Sequence, residues 1–434
     1  MNRILIKDAK AQGSGQVTLA GFIYNKRLHK GLAFIDLRDV SGVMQLVFEE
    51  SNEAAFNVIK DLNLESVIKV NGELKEKPSR KGQEDAPKDY EMLVSGAEML
   101  SAADENLPIH VLQKGDAEPD IDTRLNWRFL DLRQPEHLKI FKVWTEFERG
   151  LRAYCNAKDY TQIYTPTLMS TSSETGSEVF EVKYFDKKAY LGQSPQFYKQ
   201  MAMSVGLEKV FMTGPVFRAE KSFTTRHVTE FTGWDFEISY ADHNDVMNEE
   251  EQMIQSGFKA IKEKVDIDIE VPTLPFPRLT LKEVKEKLRA NNIKTDGEED
   301  LNPEEERGIC EIIKKETGHD FLFVTEYPVS IRAFYHMRFE DRPEITKSFD
   351  LLYRGLEITT GAQREHHIDI LEKQASEKNM NLEELADYLN FFRFGCPPHA
   401  GAGIGMARII MKMLNLSSVK EAIFLPRDVK RLTP

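Results

Sequence analysis

A two-domain α+β fold is predicted for this chain of 434 residues by three features of its sequence. Five short strand-like segments occupy about the first hundred residues. A stretch with three prolines and little hydrophobic periodicity follows them, and the remainder mixes amphipathic helices with charged hairpins. We therefore expect a small all-β domain at residues 1–104, a hinge at 105–136 and a larger domain at 137–434.

The first domain is predicted to be a five-stranded barrel of the oligonucleotide-binding type. Its candidate strands are QVTLAGFIY, LAFIDLRD, VMQLVFEE and residues 66–74 and 89–100, with a polar loop at 78–87. Arg27, Phe34 and Gln45 then lie on or beside the early strands. An exposed Phe34 would stack on an unpaired base, and a buried core position is the alternative.

The larger domain is predicted to begin with a long amphipathic helix. Its apolar residues recur at spacings of four, three, four and three: Ile140, Trp144, Phe147, Leu151 and Tyr154. The following TQIYTPTL is expected to be an edge strand at a boundary or subunit interface, because Pro166 cannot donate to a ladder. Residues 170–180 are expected to form a mobile loop. In LGQSPQFYKQ, Ser194 and Pro195 start a helix that places Gln196 and Lys199 on one face.

A charged hairpin is expected at residues 214–240. Period-two alternation places Val216, Arg218 and Glu220 on one face of its first strand. On the second strand the charged face is Asp235, Glu237 and Ser239, and the apolar face is Trp234, Phe236, Ile238 and Tyr240. Arg226 and His227 lie in the connecting loop. This face suits a polyanionic substrate, and a solvated surface with ion pairs explains the same residues equally well.

A second charged hairpin is expected at residues 348–367, with a tight turn at Arg354-Gly355. Asp350 and Glu357 on its two arms suit magnesium, and the alternative is a structural ion pair with Arg354 or Arg364. Residues 241–320 are predicted to be helix-rich, with a helical insertion at about 280–320 and no chemistry.

Three glycines near the C-terminus, Gly401, Gly403 and Gly405, allow close backbone approach. A helix is predicted to begin near Met406. Arg408 in its first turn opposes the helix dipole, which is reasonable if it binds an anion.

Composition limits the class of protein. Apolar content of 41% and charged content of 30% are typical of a soluble globular protein, and no apolar run approaches membrane length. Three isolated cysteines fit reduced thiols, so we expect a cytoplasmic protein without a membrane partner. The net charge of −13 argues against a protein that coats nucleic acid through general charge attraction.

Taken together, these motifs resemble the class II aminoacyl-tRNA synthetases, and among them the aspartyl-tRNA synthetases of archaeal and eukaryotic type, without the bacterial insertion domain. The first motif is the long helix and the strand through Pro166. The second is Phe217-Arg218-Ala219-Glu220 with Arg226, His227 and Phe231. The third is Gly403-Ile404-Gly405-Met406-Ala407-Arg408 with the tail FLPRDVKRLTP. The resemblance covers almost the whole chain and implies an OB-fold barrel plus a catalytic domain with an antiparallel sheet flanked by helices.

The resemblance implies a homodimer that activates L-aspartate with ATP and Mg²⁺ and transfers it to the terminal adenosine of tRNA(Asp), or of tRNA(Asn) as well in a non-discriminating enzyme. The implied catalytic residues are Arg218, Glu220 and Arg408. The implied ATP-binding residues are Arg218, Ala219, Glu220, Arg226, His227, Val228, Phe231, Glu357, Gly405, Met406, Ala407 and Arg408. The implied metal ligands are Asp350, Glu357 and Thr360, and the anticodon-binding residues are Arg27, Phe34, Gln45 and Glu91.

The amino-acid specificity is also implied by the resemblance. The aspartate-binding residues would be Glu174, Gln196, Lys199, Arg218, Asp235, Thr360 and Arg364. Lys199 and Arg364 would face the side-chain carboxylate, so asparagine would leave a buried cation unpaired. An asparaginyl enzyme and a non-catalytic RNA-binding paralogue are the alternatives. Three residues depart from the family pattern: Thr360 replaces serine, Ala407 replaces glutamate and Ala402 replaces glycine.

Overall fold

The computed structural model describes residues 3–77, 88–111, 117–171, 179–221 and 224–434. The chain divides into two compact units, Met1–Pro135 and Glu136–Pro434. None of the described helices is long and apolar enough to cross a membrane.

The first unit contains a closed barrel with strand order β1-β2-β3-β5-β4. Its elements are α1 (Ile6–Gln12), β1 (Gly15–His29), β2 (Leu32–Asp39), β3 (Gly42–Glu49), α2 (Glu53–Lys60), β4 (Val67–Glu76) and β5 (Tyr90–Ser101). All five predicted strands are confirmed, and the predicted loop 78–87 lies outside the described residues. Alternate residues fill the barrel, as Ala33, Ile35 and Leu37 of β2 show. Two short helices, α3 (Ile121–Asn126) and α4 (Arg128–Asp131), occur in the stretch predicted as a hinge.

The second unit is built on an eight-stranded sheet of order β12-β13-β14-β15-β16-β11-β10-β6. Its first elements are α5 (Pro135–Ala157), β6 (Thr161–Gln162), β7 (Leu168–Met169), β8 (Glu181–Tyr184), β9 (Lys187–Leu191), α6 (Gln196–Val205), β10 (Lys209–Phe217), β11 (Glu230–Ser239) and α7 (His243–Lys264). The remaining elements are β12 (Arg278–Thr280), α8 (Leu281–Ala290), α9 (Pro303–Thr317), β13 (Phe321–Thr325), β14 (Ser348–Tyr353), β15 (Glu357–Arg364), α10 (Ile368–Glu377), α11 (Ala386–Arg393), β16 (His399–Gly405) and α12 (Met406–Met413), with 3₁₀ turns at Val329–Ile331 and Val419–Ala422.

The six central strands of this sheet are antiparallel, and the edge strands β12 and β6 pair in parallel. One face of the sheet packs on the large core, where Trp234 and Phe236 of β11 meet Phe147 of α5 and Phe258 of α7. Helices α5 and α7 approach closely at Gly150, where a Cβ atom would lie 2.6 Å from the Cα of the facing glycine in α7. The opposite face of the sheet is therefore left for polar side chains.

Several predicted boundaries were wrong. TQIYTPTL is two short pieces rather than one strand: β6 pairs with β10, whereas β7 joins a separate sheet with β8 and β9. Strand β10 ends at Phe217, so Arg218 and Glu220 lie in the loop beyond it. Tyr240 follows β11 with a φ of 58° and is 71% exposed, so it does not share the apolar face. Helix α6 begins at Gln196, one residue later than predicted, and its backbone N–H still donates to Ser194 Oγ.

Candidate active site

The polar face of the large sheet carries a cavity of about 280 Å³. Strands β11, β15 and β16, the start of α6 and the segment after β10 line it, and residues 331–336 close one side. The predicted residues that line it are Gln196, Lys199, Arg218, Glu220, Arg226, His227, Val228, Phe231, Asp235, Glu357, Thr360, Arg364, Gly405, Ala407 and Arg408. Segments more than two hundred residues apart in the chain therefore converge on one site.

One end of the cavity is lined by Lys199, Asp235 and Arg364, and the buried Glu237 pairs with two of them. We call these four residues the amino-acid lobe, after the role that the resemblance implies for the first three. Lys199 Nζ lies 2.8 Å from Asp235 Oδ1 and 3.5 Å from Glu237 Oε2. Arg364 donates to Glu237 Oε1 through Nε at 2.8 Å and to the carbonyl of residue 401 through Nη2 at 2.8 Å. All four side chains are buried, so this is not a solvated ion-pair surface. Burial disfavours the charged form of Glu237, but Arg364 and Lys199 outweigh it and hold its pKa below the ordinary value.

Glycines on β16 make room for these carboxylates. A Cβ atom on Gly401 would lie 2.0 Å from Glu237 Oε2, and one on Gly403 would lie 2.9 Å from Asp235 Oδ1. The expectation of close approach at these glycines is confirmed, although the neighbour is side chain as well as backbone. Ala402 between them has no positive φ, and its carbonyl accepts from Lys199 Nζ at 3.3 Å, so alanine is tolerated there.

We call the group of Arg218, Arg226, His227 and Phe231 the nucleotide lobe, after the role that the resemblance implies for these residues. Its arginines contact an aromatic ring or a carboxylate. The guanidinium of Arg218 lies 5.4 Å from the ring centroid of Phe231. Arg226 Nη1 donates to Glu306 Oε2 at 2.8 Å. Burial and the neighbouring cations Arg408 and Arg226 lower the pKa of His227, so its imidazole is neutral at neutral pH.

The predicted metal ligands are brought together by one hydroxyl. Thr360 Oγ1 donates to Asp350 Oδ1 at 2.8 Å and lies 3.4 Å from Glu357 Oε1. The predicted alternative partners were wrong: Arg354 pairs with Asp320 and Arg364 pairs with Glu237. Asp350 instead accepts from Arg332 Nη2 at 2.7 Å. Burial, and then the like charge of Glu357, raise the pKa of Asp350 against the opposing effect of Arg332.

Arg408 is held by the same hairpin. Its Nη1 donates to the backbone carbonyl of Glu357 at 2.9 Å and lies 3.3 Å from Glu357 Oε1. Ala407, in place of a glutamate, therefore leaves Arg408 with a defined orientation. Met406 is fully buried in the core, so only its backbone can face a ligand, and Ala219 is outside the cavity lining. Glu174 lies outside the described residues.

Sequence reasoning missed Glu306, Arg332 and His336 as site residues. Glu306 belongs to α9, within the helical segment in which no chemistry was expected, and yet it pairs with Arg226. Arg332 and His336 line the cavity from an irregular segment. No periodicity or spacing marks such residues, since their roles depend on contacts between distant segments.

In the barrel, the four predicted anticodon-binding residues lie on neighbouring positions of its outer face. Arg27 is opposite Phe34 in the β1–β2 ladder, and Gln45 is opposite Glu91 in the β3–β5 ladder. Gln45 Nε2 donates to Glu91 Oε2 at 3.1 Å. Phe34 alternates with buried Ala33 and Ile35 and is outside the core, so the interpretation as a buried residue was wrong.

Comparison with known proteins places both units in known families. Residues 120–429 match the family described as tRNA synthetases class II (D, K and N), and residues 17–100 match the OB-fold nucleic acid binding domain. An Archaeoglobus fulgidus protein named aspartate–tRNA(Asp/Asn) ligase is 40% identical, with all of both chains covered. A Picrophilus torridus protein named aspartate–tRNA(Asp) ligase is also 40% identical over all of both chains. The structure of asparaginyl-tRNA synthetase from Pyrococcus horikoshii with asparaginyl-adenylate aligns with a TM-score of 0.89 at 29% identity, again over all of both chains.

Proposed function

We propose that this chain, which belongs to the class II tRNA synthetases of the D, K and N group, is an aspartate–tRNA ligase. The observation that carries the proposal is the pair of buried cations, Lys199 and Arg364, in the amino-acid lobe. Full-length relatives with the aspartate name, at 40% identity, support it.

The geometry changes the reason for preferring aspartate. Lys199 and Arg364 already have carboxylate partners, so asparagine would not leave a wholly unpaired cation in the lobe. Both side chains carry only donors, however. They can satisfy the two acceptor oxygens of a side-chain carboxylate, whereas the NH₂ group of asparagine would face donors. Discrimination therefore rests on hydrogen-bond polarity as well as on charge.

The reaction proceeds in two steps. An α-carboxylate oxygen of aspartate attacks the α-phosphorus of ATP, which forms aspartyl-adenylate and releases pyrophosphate. A ribose hydroxyl of the terminal adenosine of tRNA then attacks the acyl carbon, which forms the ester and releases AMP. Arg218 and Arg408 would offset charge on the phosphates, and Phe231 would stack on adenine; all three line the cavity.

Residues Asp350, Glu357 and Thr360 would hold Mg²⁺. Their oxygen atoms match its preference, and the hydroxyl of Thr360 lies within 3.4 Å of both carboxylates. The ion would supply charge neutralisation on the ATP phosphates. Arg226 would reach the outer phosphates after exchanging its contact with Glu306.

The proposed partners are tRNA, ATP and L-aspartate, with the outer barrel face around Phe34 binding the anticodon. The chain is 40% identical both to a relative named for tRNA(Asp/Asn) and to a relative named for tRNA(Asp) alone. Sequence similarity therefore does not choose between the two acceptor ranges. Aspartylation of purified tRNA(Asp) and tRNA(Asn) transcripts side by side measures the acceptor range. We further propose a cytoplasmic homodimer whose interface includes α5 and the segment before β7, where Tyr164 is 83% exposed.

ATP–pyrophosphate exchange tests the amino-acid assignment. Exchange that depends on aspartate and is weak with asparagine is expected. Exchange with asparagine alone would make the chain an asparaginyl enzyme, and its absence with both amino acids would favour the non-catalytic alternative.

A further inference from the structure

A buried polar network lies directly behind the amino-acid lobe and involves no residue predicted from the sequence except Gln196. It joins Gln196 and Gln200 of α6, Tyr388 of α11 and His399 of β16. All four residues are buried, and Gln200 and His399 are fully inaccessible to solvent. Such a network stabilises one arrangement only if every donor faces an acceptor.

The direction of each hydrogen bond follows from the end of the network at His399. His399 Nδ1 lies 2.8 Å from the backbone carbonyl of Pro397, which can only accept. Nδ1 therefore carries the proton. Burial, as the largest cause, lowers the pKa of His399 to about 4, so the imidazole is neutral at neutral pH and Nε2 is an acceptor.

Gln200 must then point its amide nitrogen at His399. The distance from Gln200 Nε2 to His399 Nε2 is 2.9 Å, and only the amide can donate across it. Gln200 Oε1 consequently faces the other way, where it accepts from Tyr388 Oη at 3.0 Å and from Gln196 Nε2 at 3.0 Å.

This arrangement leaves one orientation for Gln196. Its nitrogen donates to Gln200, so its oxygen Oε1 is the acceptor left for the cavity that Gln196 lines. A flipped Gln196 would set two acceptor oxygens against each other. On an amino acid with a carboxylate side chain, the α-ammonium is the only donor group that an amide oxygen can accept from.

We propose that Gln200 and His399 are positioning residues that fix the amide of Gln196 with its oxygen toward the cavity, where it accepts from the α-ammonium of the amino-acid substrate. This inference rests on the proposed function for the identity of the substrate. The tautomer of His399 fixes the direction of the Gln200 amide, and the Gln200 amide in turn fixes the direction of the Gln196 amide one turn earlier in α6.

The test compares Gln200→Leu and His399→Phe with the wild-type protein in ATP–pyrophosphate exchange. A hydrogen bond to a charged group contributes enough that the KM for aspartate should rise about tenfold or more, while the KM for ATP stays within about twofold. Succinate, which is aspartate without the ammonium, is the discriminating probe. Its inhibition constant should not change in either variant.

Two further variants separate positioning from general damage. Gln200→Glu keeps an acceptor toward Gln196 and, in the protonated form that burial favours, a donor toward His399, so it should recover most of the aspartate KM. Gln255→Leu removes a glutamine of α7 that donates to the carbonyl of Pro272, outside the network, and should leave both KM values unchanged. Thermal unfolding of every variant is measured in parallel.

The inference is overturned if the KM for aspartate is unchanged in both variants. It is also overturned if succinate, ATP and aspartate all weaken to the same extent, because that pattern indicates loss of structure. Failure of the proposed function has a different signature, namely a wild-type protein that shows no aspartate-dependent exchange.

Discussion

Replacement of Lys199 by methionine tests the basis of amino-acid selection most directly. Lys199 is 2% exposed and lies within 3.5 Å of both Asp235 and Glu237. Lys199, Arg364, Asp235 and Glu237 carry two positive and two negative formal charges, so the amino-acid lobe is neutral in the wild type. The variant lobe carries a net charge of −1 with Arg364 as its one cation among these four positions. An incoming side-chain carboxylate would then be repelled.

The magnitude follows from the burial. Removal of one partner from a buried ion pair costs roughly 3–5 kcal/mol, which predicts a fall of about 10²–10⁴-fold in kcat/KM for aspartate. Asparagine has a neutral side chain and loses no charge attraction, so its kcat/KM should fall by about tenfold or less. The ratio of the two kcat/KM values, measured by ATP–pyrophosphate exchange, should therefore fall at least about tenfold.

Lys285→Met is the matched control. Lys285 is 1% exposed and lies 2.8 Å from Glu305 Oε1, so this substitution also breaks a buried ion pair, away from the cavity. It should lower the midpoint of thermal unfolding and leave the aspartate-to-asparagine ratio unchanged. An equal fall in kcat/KM for both amino acids in Lys199→Met would refute this prediction. A change of less than about threefold in kcat/KM for aspartate would also refute it.

Three further predictions concern the barrel, the sheet and a buried carboxyl group. Phe34→Ala should weaken tRNA binding about 5–100-fold in a filter-binding assay and leave ATP–pyrophosphate exchange intact. Phe34→Tyr keeps an aromatic ring and should bind tRNA normally. Equal tRNA binding by the wild type and both variants would exclude stacking. Gly401→Ala should lower aspartate activation by at least about a hundredfold, because its Cβ would lie 2.0 Å from a buried carboxylate oxygen, whereas Gly214→Ala, with no atom within 4 Å, should be near neutral. Burial raises the pKa of Glu250 to about 8 from 4.5, so the folded state keeps a proton that the unfolded chain releases, and stability is lost as pH rises between these values. Glu250→Gln should remove this loss, so its free energy of unfolding should rise by roughly 3–5 kcal/mol relative to that of the wild type between pH 5 and pH 9. The exposed control Glu263→Gln should show no such change. A difference between Glu250→Gln and wild type that stays constant across pH would contradict the prediction.

The sequence alone determined the elements whose signal is local. Short strand-like segments separated by turn residues located all five barrel strands, and the spacing of apolar residues located the long helix α5. Period-two alternation separated the apolar face of β11 from its polar face, since the side chains of a strand must point to opposite sides of the sheet. Where the chain departs from regular periods, the prediction was wrong, as at the end of β10 and around Pro166.

The family resemblance, carried by ordered motifs, identified most residues of the cavity, but it left their electrostatic partners open. Arg364 was a candidate partner for a metal-binding carboxylate, but in the structure it forms an ion pair with Glu237. Arg226 was assigned to phosphates, and the fold placed Glu306 of a distant helix beside it. Pairings of this kind depend on which strands become neighbours, and no local pattern encodes that.

Only the tertiary structure decided the polarity of the hydrogen bonds around the substrate. Gln196 is visible in the sequence, but the direction of its amide depends on Gln200, on Tyr388 and finally on a histidine about two hundred residues away. The sequence determined which chemical groups the chain could bring to the site. Packing of α6, α11 and β16 determined which atom of each group faces the ligand, because in a buried network each donor must meet an acceptor.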